Sequence, residues 1–432
     1  MRRYRQQSAV ALATKLLVFV SLVLVFALET SDSPSSAQIA AKKPGITVRT
    51  RANKELDPLG IHAGSMMIYP SISISGQYDD NIFIWNEADE DDIILIVAPT
   101  VRVKSLWTRH ELQFYASGQF GFHNDFPAQD YKNLNFQGQG TIDISSKSNM
   151  VISAGYRQAY EQRNDPDAQQ GAAEPPKFRT PSASMKFTQE FNRLTFSVGG
   201  TFRRIIYDNV VAIEGGELDQ SYRDRNQYRL NSRLDYEFQQ NVGVFVNFEY
   251  NWRRYDTLVD NRGFTRNSDG YNIDAGIDLR FTSVIFGHAY VGYTRQHYDD
   301  IRFDSVGGLN YGADIDWNIT PITSVNLGVE RRLRDTIQFF SPGYYADRVS
   351  LQVDHELRRD WIISLMGMVG QNNFQQIDRQ EDVWSVGSQV HWKMNRKLRL
   401  RLRYAYDARS TEFGNFGNYK RNTITFSIEA NY

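Results

Sequence analysis

The chain has 432 residues, no cysteine and a formal charge of −1, and 13% of it is aromatic, including 24 Tyr and 26 Phe. The missing thiols exclude a disulfide framework and zinc–thiolate chemistry, and the balanced charge carries no nucleic-acid footprint. Aromatic enrichment at a mean hydropathy of −0.50 suits a protein with an apolar outside and a polar inside.

Residues 1–37 read as a secretory signal. Arg2, Arg3, Arg5 and Lys15 form a positive leader, residues 16–28 an apolar run, and Ser35 and Ala37 a small-x-small cleavage pattern with a mature start near Gln38. That run is shorter than the roughly 20 residues a membrane-spanning helix takes. Residues 38–64 carry Lys42, Lys43, Arg49, Arg51 and Lys54 without sustained periodicity. They are expected to be a periplasmic tail or a short plug, leaving residues 65–432 for the folded body.

From Ile68 onward, apolar and polar residues alternate in segments of strand length. The pattern predicts 18 strands: 66–78, 92–104, 107–122, 132–144, 149–162, 181–191, 194–208, 224–238, 242–256, 269–282, 284–298, 307–319, 322–335, 346–358, 361–374, 382–394, 397–410 and 420–432. The links between them alternate in length. Asn192-Arg193, 239–241, Ser283, Thr320-Pro321, Arg359-Asp360 and Asn395-Arg396 are tight. The links at 79–91, 123–131, 163–180, 209–223, 257–268, 299–306, 336–345, 375–381 and 411–419 are longer and polar. A β-sandwich has no reason to alternate in this way. An all-β, transmembrane, antiparallel up-and-down barrel does, with short periplasmic turns, longer external loops and both termini in the periplasm. Tryptophans fall where girdles belong, with Trp107, Trp317, Trp361 and Trp392 at the periplasmic rim and Trp252 and Trp384 at the other.

Parity assigns the lumen. On 397–410, Leu398, Leu400, Leu402, Tyr404 and Tyr406 face lipid, so Arg399, Arg401 and Arg403 face inward. The same reasoning turns inward Arg102, Lys104, Arg229, Arg233, Asp235, Glu237, Asp274, Asp278, Arg280, Asp314, Asp316, Glu330, Arg332, Arg334, Asp354 and Glu356. The arginines are candidate pore-lining groups for an anionic solute. The alternative is that the charges pair across strands and brace the wall, with Glu429 the nearest carboxylate to the Arg399–Arg403 ladder.

Glu87, Asp89, Glu90, Asp91 and Asp92 follow Tyr78-Asp79-Asp80-Asn81 in the first external link. Their spacing fits no calcium loop, and a solvated acidic loop is the simpler reading. The seven histidines show no paired metal spacing, and no nucleophile elbow or phosphate-binding loop occurs. No enzyme, metal or cofactor is expected. The closing strand places Ile424, Phe426, Ile428, Ala430 and Tyr432 on one face. Phe426, Ile428 and Tyr432 there resemble the terminal insertion signal of outer-membrane barrels.

Residues 56–70, LDPLGIHAGSMMIYP, running on to Tyr78, Asp79, Asp80, Asn81, Ile82 and Phe83, resemble the type 2 family of beta-barrel porins of Gram-negative bacteria. The match covers about 28 residues. Members often belong to exopolysaccharide or capsule systems. The resemblance therefore implies a channel in polysaccharide export or surface assembly. General porin activity for small hydrophilic solutes and a non-conducting structural or adhesive barrel are the alternatives. The expected partners are outer-membrane lipid and lipopolysaccharide, the barrel assembly machinery, and polysaccharide with periplasmic export components, but no nucleic acid. Turn-forming Asp79, Asp80 and Asn81, with Tyr78 and Phe83 flanking them at the membrane surface, are the role expected of the motif.

Overall fold

The computed structural model describes residues 45–432 apart from 85, 87–89, 170, 240, 280–283 and 413–416. The signal expectation, the turn at Ser283, and Glu87, Asp89 and Arg280 lie outside the described residues. Eighteen antiparallel strands form one closed ring: β1 Met66–Asp79, β2 Asp92–Ser105, β3 Glu111–His123, β4 Tyr131–Ser145, β5 Ser148–Tyr160, β6 Lys177–Phe191, β7 Leu194–Tyr207, β8 Arg225–Gln239, β9 Val242–Tyr255, β10 Ser268–Leu279, β11 Ile285–Tyr298, β12 Val306–Thr320, β13 Thr323–Asp335, β14 Gly343–Arg358, β15 Trp361–Phe374, β16 Gln380–Lys393, β17 Leu398–Thr411 and β18 Tyr419–Asn431. Among the described residues there is no α-helix, only two single 3-10 turns at Pro127–Gln129 and Ser221–Arg223.

The period of 2 turns one face of every strand outward. Leu230, Leu234, Tyr236 and Phe238 on β8, Val244, Val246 and Phe248 on β9, and Ile424, Phe426 and Ile428 on β18 are all exposed. Such a coat is stable only against hydrocarbon, because a soluble protein rarely exposes contiguous apolar area beyond a few hundred Å². Strands of 12 to 16 residues exceed the roughly 9–11 that cross a bilayer at a barrel's tilt, so their ends rise clear of it. The Trp pair at one rim is explicit: Trp361 and Trp392 stack at 5.1 Å, and the Trp392 indole N–H donates to Asp360 at 3.2 Å.

Short links gather at one end and long loops at the other. The two-residue turn after β6 uses Asn192 at φ 52, and Asn241 at φ 72 does the same after β8, the positive φ that matches a hairpin's twist. Register shifts at 143/145, 237/239, 318/320 and 356/358 all sit beside short turns, where bulges re-aim strand ends.

Closure joins β1 to β18 over Ser71↔Asn431 to Asp79↔Thr423. The long-loop end of this seam is fastened by the motif that carries the family resemblance. Inside the barrel, Arg421 Nε donates to both Asp79 carboxylate oxygens at 2.9 and 3.0 Å. Asp80 accepts from the Asn422 backbone N–H and side-chain amide, each at 2.6 Å. Asn81 donates to the Lys420 carbonyl at 3.0 Å. The aspartates and Asn81 thus close the ring as well as turning the chain.

Among the described residues, four differences from the sequence pattern exceed two residues. Residues 61–63 form a short strand paired with the start of β1, too brief for periodicity to reveal. The segment 107–110 is a turn, with His110 at φ 67. β6 begins at Lys177, ahead of the expected 181, because Pro181 lacks an N–H and breaks the ladder to β7 between Arg179 and Ser182 without ending the strand. β14 begins at Gly343, three residues ahead of the expected 346.

Two outcomes follow. Asp79 is fully buried, and removing one partner of a buried ion pair costs about 3–5 kcal/mol. D79A should lower the urea midpoint of the heat-modifiable folded band, with D79A/R421L recovering part of the loss. F426D/I428D places charge on the lipid face of the closing strand, so folded protein in outer-membrane fractions should fall sharply. Normal levels would show that this strand tolerates charge.

Candidate functional site

The functional region is the lumen, built from the inward half of each strand. Of the predicted inward charges, many pair, some across strands and some along one. Arg233 bridges Asp235 and Asp278 at 2.6 and 2.7 Å and lies 3.7 Å over the Phe245 ring. Arg229 meets Glu249 at 3.1 Å, Arg332 meets Glu330 at 3.0 Å, and Lys104 meets Glu111 at 2.9 Å. On β17, Arg399 and Arg401 share Glu429 at 3.6 and 3.9 Å. Arg403 stands opposite Gln389 in the ladder. Asp354 accepts from Ser364 at 2.6 Å, and Asp314 and Asp316 accept from Asn326 at 3.2 and 3.1 Å.

A segment of the chain lies inside each mouth. At the short-turn end, residues 45–57 lie against the wall. Val48 is buried, with its N–H donating to Ser324 at 2.8 Å. Asn318 donates to the Ile46 carbonyl at 2.8 Å, and Arg396 to the Lys54 carbonyl at 2.8 Å. Arg51 pairs with Glu356 at 3.5 Å, and Asp57 reaches Arg399 at 3.7 Å. The segment therefore touches the ring from β12 to β17.

At the long-loop end, residues 161–176 leave the wall between β5 and β6 and reach the far side. Arg163 donates to Gln129 at 2.9 Å and lies 5.2 Å from the Phe83 ring, which itself packs edge-on against Phe126 at 5.2 Å. Phe83 accordingly belongs to this cap, not to the membrane surface. Across the mouth, Gln338 donates to the Pro166 carbonyl at 3.0 Å, and Arg409 to the Asn164 carbonyl at 3.1 Å. Asp167 accepts from the Thr336 hydroxyl at 2.5 Å and the Ile337 N–H at 3.3 Å. The buried pair Glu161–Arg223 fixes the loop's root.

Beneath this loop lies a cavity of about 310 Å³, lined by Arg203, Arg225, Arg229 and Arg334 among other polar groups. Sequence parity reached Arg229 and Arg334 but not Arg203, Arg225 or Arg253. The alternation of β7 to β9 contains the signal for these three, since each is odd-numbered on a strand whose even residues are the lipid-facing ones. Among the described residues the acidic first link carries no cluster: Asp79 is held by Arg421, and Asp92 accepts from the Asn124 and Asp125 N–H groups at 3.2 and 3.1 Å.

An apolar belt outside, a charged lumen and loops gathered at one end define a porin-type channel protein of the outer membrane. Residues 54–432 match the family model described as "Putative beta-barrel porin 2", and the chain belongs to that family. No curated relative matches it in sequence. Among solved structures, it is similar to OccK2 (OpdF) of Pseudomonas aeruginosa in complex with glucuronate, at 10% identity and TM-score 0.47, covering 85% of this chain and 98% of that one. It is also similar to the outer membrane protein OpdK of the same organism, at 12% identity and TM-score 0.42, covering 84% and 99%. A third is the siderophore receptor PirA, also of P. aeruginosa, at 8% identity and TM-score 0.42, covering 84% and 80%.

Burial, with Asp165 nearby, pushes the Asp167 carboxyl up to about 7. A raised carboxyl means the docked loop holds a proton that the undocked loop releases. Docking is therefore strongest near pH 4 and weakens as pH rises toward 7. Cleavage of the loop by added protease should be faster at pH 8 than at pH 5, and D167N should remove the difference. Equal cleavage of the wild type at both values would mean the contact does not titrate.

Proposed function

We propose that the protein is an outer-membrane conduit for an anionic saccharide, serving export or surface assembly of an exopolysaccharide or capsule. In this reading the termini and short turns are periplasmic and the long loops external. Its partners are lipid and lipopolysaccharide around the belt, the assembly machinery that inserts it, and polysaccharide with periplasmic export components at the mouths. The observation that carries it is the inner wall under loop 161–176, where arginines stand beside inward-facing Tyr207 and Tyr255. Cationic groups lower the barrier for anions, as rings of Arg or Lys do in anion pores, and tyrosine faces suit sugar rings.

A second reading, a general porin for small hydrophilic solutes, draws support from the two caps. They narrow a lumen that would be an open aqueous passage at 18 strands.

Planar-bilayer recordings and a gene deletion separate these. Cutting out residues 45–57 should raise single-channel conductance. Replacing Arg399, Arg401 and Arg403 with Gln should lower anion preference modestly, because Glu429 and Asp57 already offset part of that ladder. Loss of secreted polysaccharide on deletion of the gene supports export. Normal secretion with intact anion conductance would leave the small-solute porin, and no conductance at all would leave a structural barrel.

A further inference from the structure

The cavity under loop 161–176 holds a particular arrangement of cations. Gln227 on β8 pairs across the ladder with Arg203 on β7 and Arg253 on β9. Arg225 and Arg229 flank it along the same strand, so four arginines surround one inward amide. In such a lattice, Arg203 has Arg225 and Arg229 as diagonal neighbours, whose Cα atoms lie about 7–8 Å away.

Internal partners satisfy only half of this group. Arg253 pairs with Asp335 at 2.5 Å, and Arg229 with Glu249. Arg203 forms no ion pair among the described residues. Arg225 donates to the Arg223 carbonyl at 2.9 Å and lies 5.4 Å from the Tyr255 ring, while its Nε is buried without a hydrogen-bond partner. Arg334, on the opposite wall of the same cavity, also forms no ion pair among the described residues. Four carboxylates line the cavity. Glu161 is taken by Arg223 and Asp335 by Arg253. Asp167 is held by Thr336, and Asp165 accepts from the Asp167 N–H at 2.8 Å.

Gathering like charges away from bulk water is costly unless a counter-charge joins them. Guanidinium groups bind carboxylate and phosphate oxygens through paired N–H donors. The cavity volume sits at the lower end of small-molecule sites, which run from roughly 300 to 1,000 Å³. That suits one or two sugar rings.

We propose that Arg203 and Arg225, with Arg334 facing them, form a fixed oxyanion site that holds the acidic group of a hydrophilic solute beneath loop 161–176. This deepens the conduit reading and rests on it for the solute's route, though not for binding. The oxyanion has two sources, a sugar carboxylate or free phosphate, and both are tested.

The full-length barrel, purified in detergent, is titrated calorimetrically with D-galacturonate, D-galactose and inorganic phosphate. Galacturonate should bind, with neutral galactose and the R203Q/R225Q variant each weaker by roughly tenfold or more. K147Q/R193Q, which removes two exposed cations of the short turns, should bind as the wild type does, and heat-modifiable migration reports that each variant is folded. R203K/R225K keeps the charge but not the paired donors and should fall between. Phosphate binding that matches galacturonate and shows the same loss in R203Q/R225Q assigns the site to bare oxyanions. Phosphate binding that is weaker assigns it to sugar acids. Unchanged binding in folded R203Q/R225Q, equal affinity for galactose, or no binding by either anion overturns the proposal. Conductance without binding removes the site and spares the channel, while binding without conductance does the reverse.

Discussion

In hydrocarbon, a backbone N–H or carbonyl without a partner costs several kcal/mol, and a sheet has two edges full of them. The whole molecule depends on bringing those edges together. Met66–Asp79 and Tyr419–Asn431 are separated by nearly the entire barrel sequence, yet they must meet in one register. A slip of one residue would turn every lipid-facing side chain inward. The paired interactions of Asp79 with Arg421 and Asp80 with Asn422 fix that register, because a carboxylate one position out of step would face the other side of the wall. The side chains' charge is thereby used for geometry at the one place where no hairpin supplies it.

The interior follows from the exterior. Once period-2 alternation commits one face of each strand to lipid, every polar residue of the pattern is delivered to the lumen, charged or not. Opposite charges then pair along and across the strands, as with Arg233, which bridges Asp235 on its own strand and Asp278 two strands away. What remains unmatched is concentrated where β7 and β8 run beneath the crossing loop. Charge excess, aromatic faces and the loop's own carboxylates meet there, which makes this the chemically distinctive part of an otherwise balanced wall.

Much of this was legible from the amino-acid pattern. All 18 strands, their order and the contrast between short and long links follow from alternation and turn residues, which are local properties. Alternation also turned the Arg399–Arg403 ladder inward, and the register brings Glu429 to it. The caps were not legible. Residues 45–57 make backbone hydrogen bonds to side chains such as Ser324 and Asn318, contacts that leave no periodic trace. Loop 161–176 is held by single side chains reaching across the ring. The role of Asp79 and Asp80 was hidden for a related reason: the pair reads as a turn locally, and its partners lie 342 positions away. Pro181 misled the reading of β6 because a missing N–H is a weaker break in a ladder than in a helix.

The seating of residues 45–57 has a consequence for biogenesis. Their partners Ser324, Glu356, Arg396 and Arg399 all belong to the last third of the chain. The segment precedes the barrel strands in the chain but has nowhere to rest until β12 to β17 are in place. During that interval it must stay extended and polar, which Arg49, Arg51 and Lys54 favour, and the nascent ring stays unobstructed at that mouth. Docking of this segment is thus a late step, and its seating marks a finished barrel.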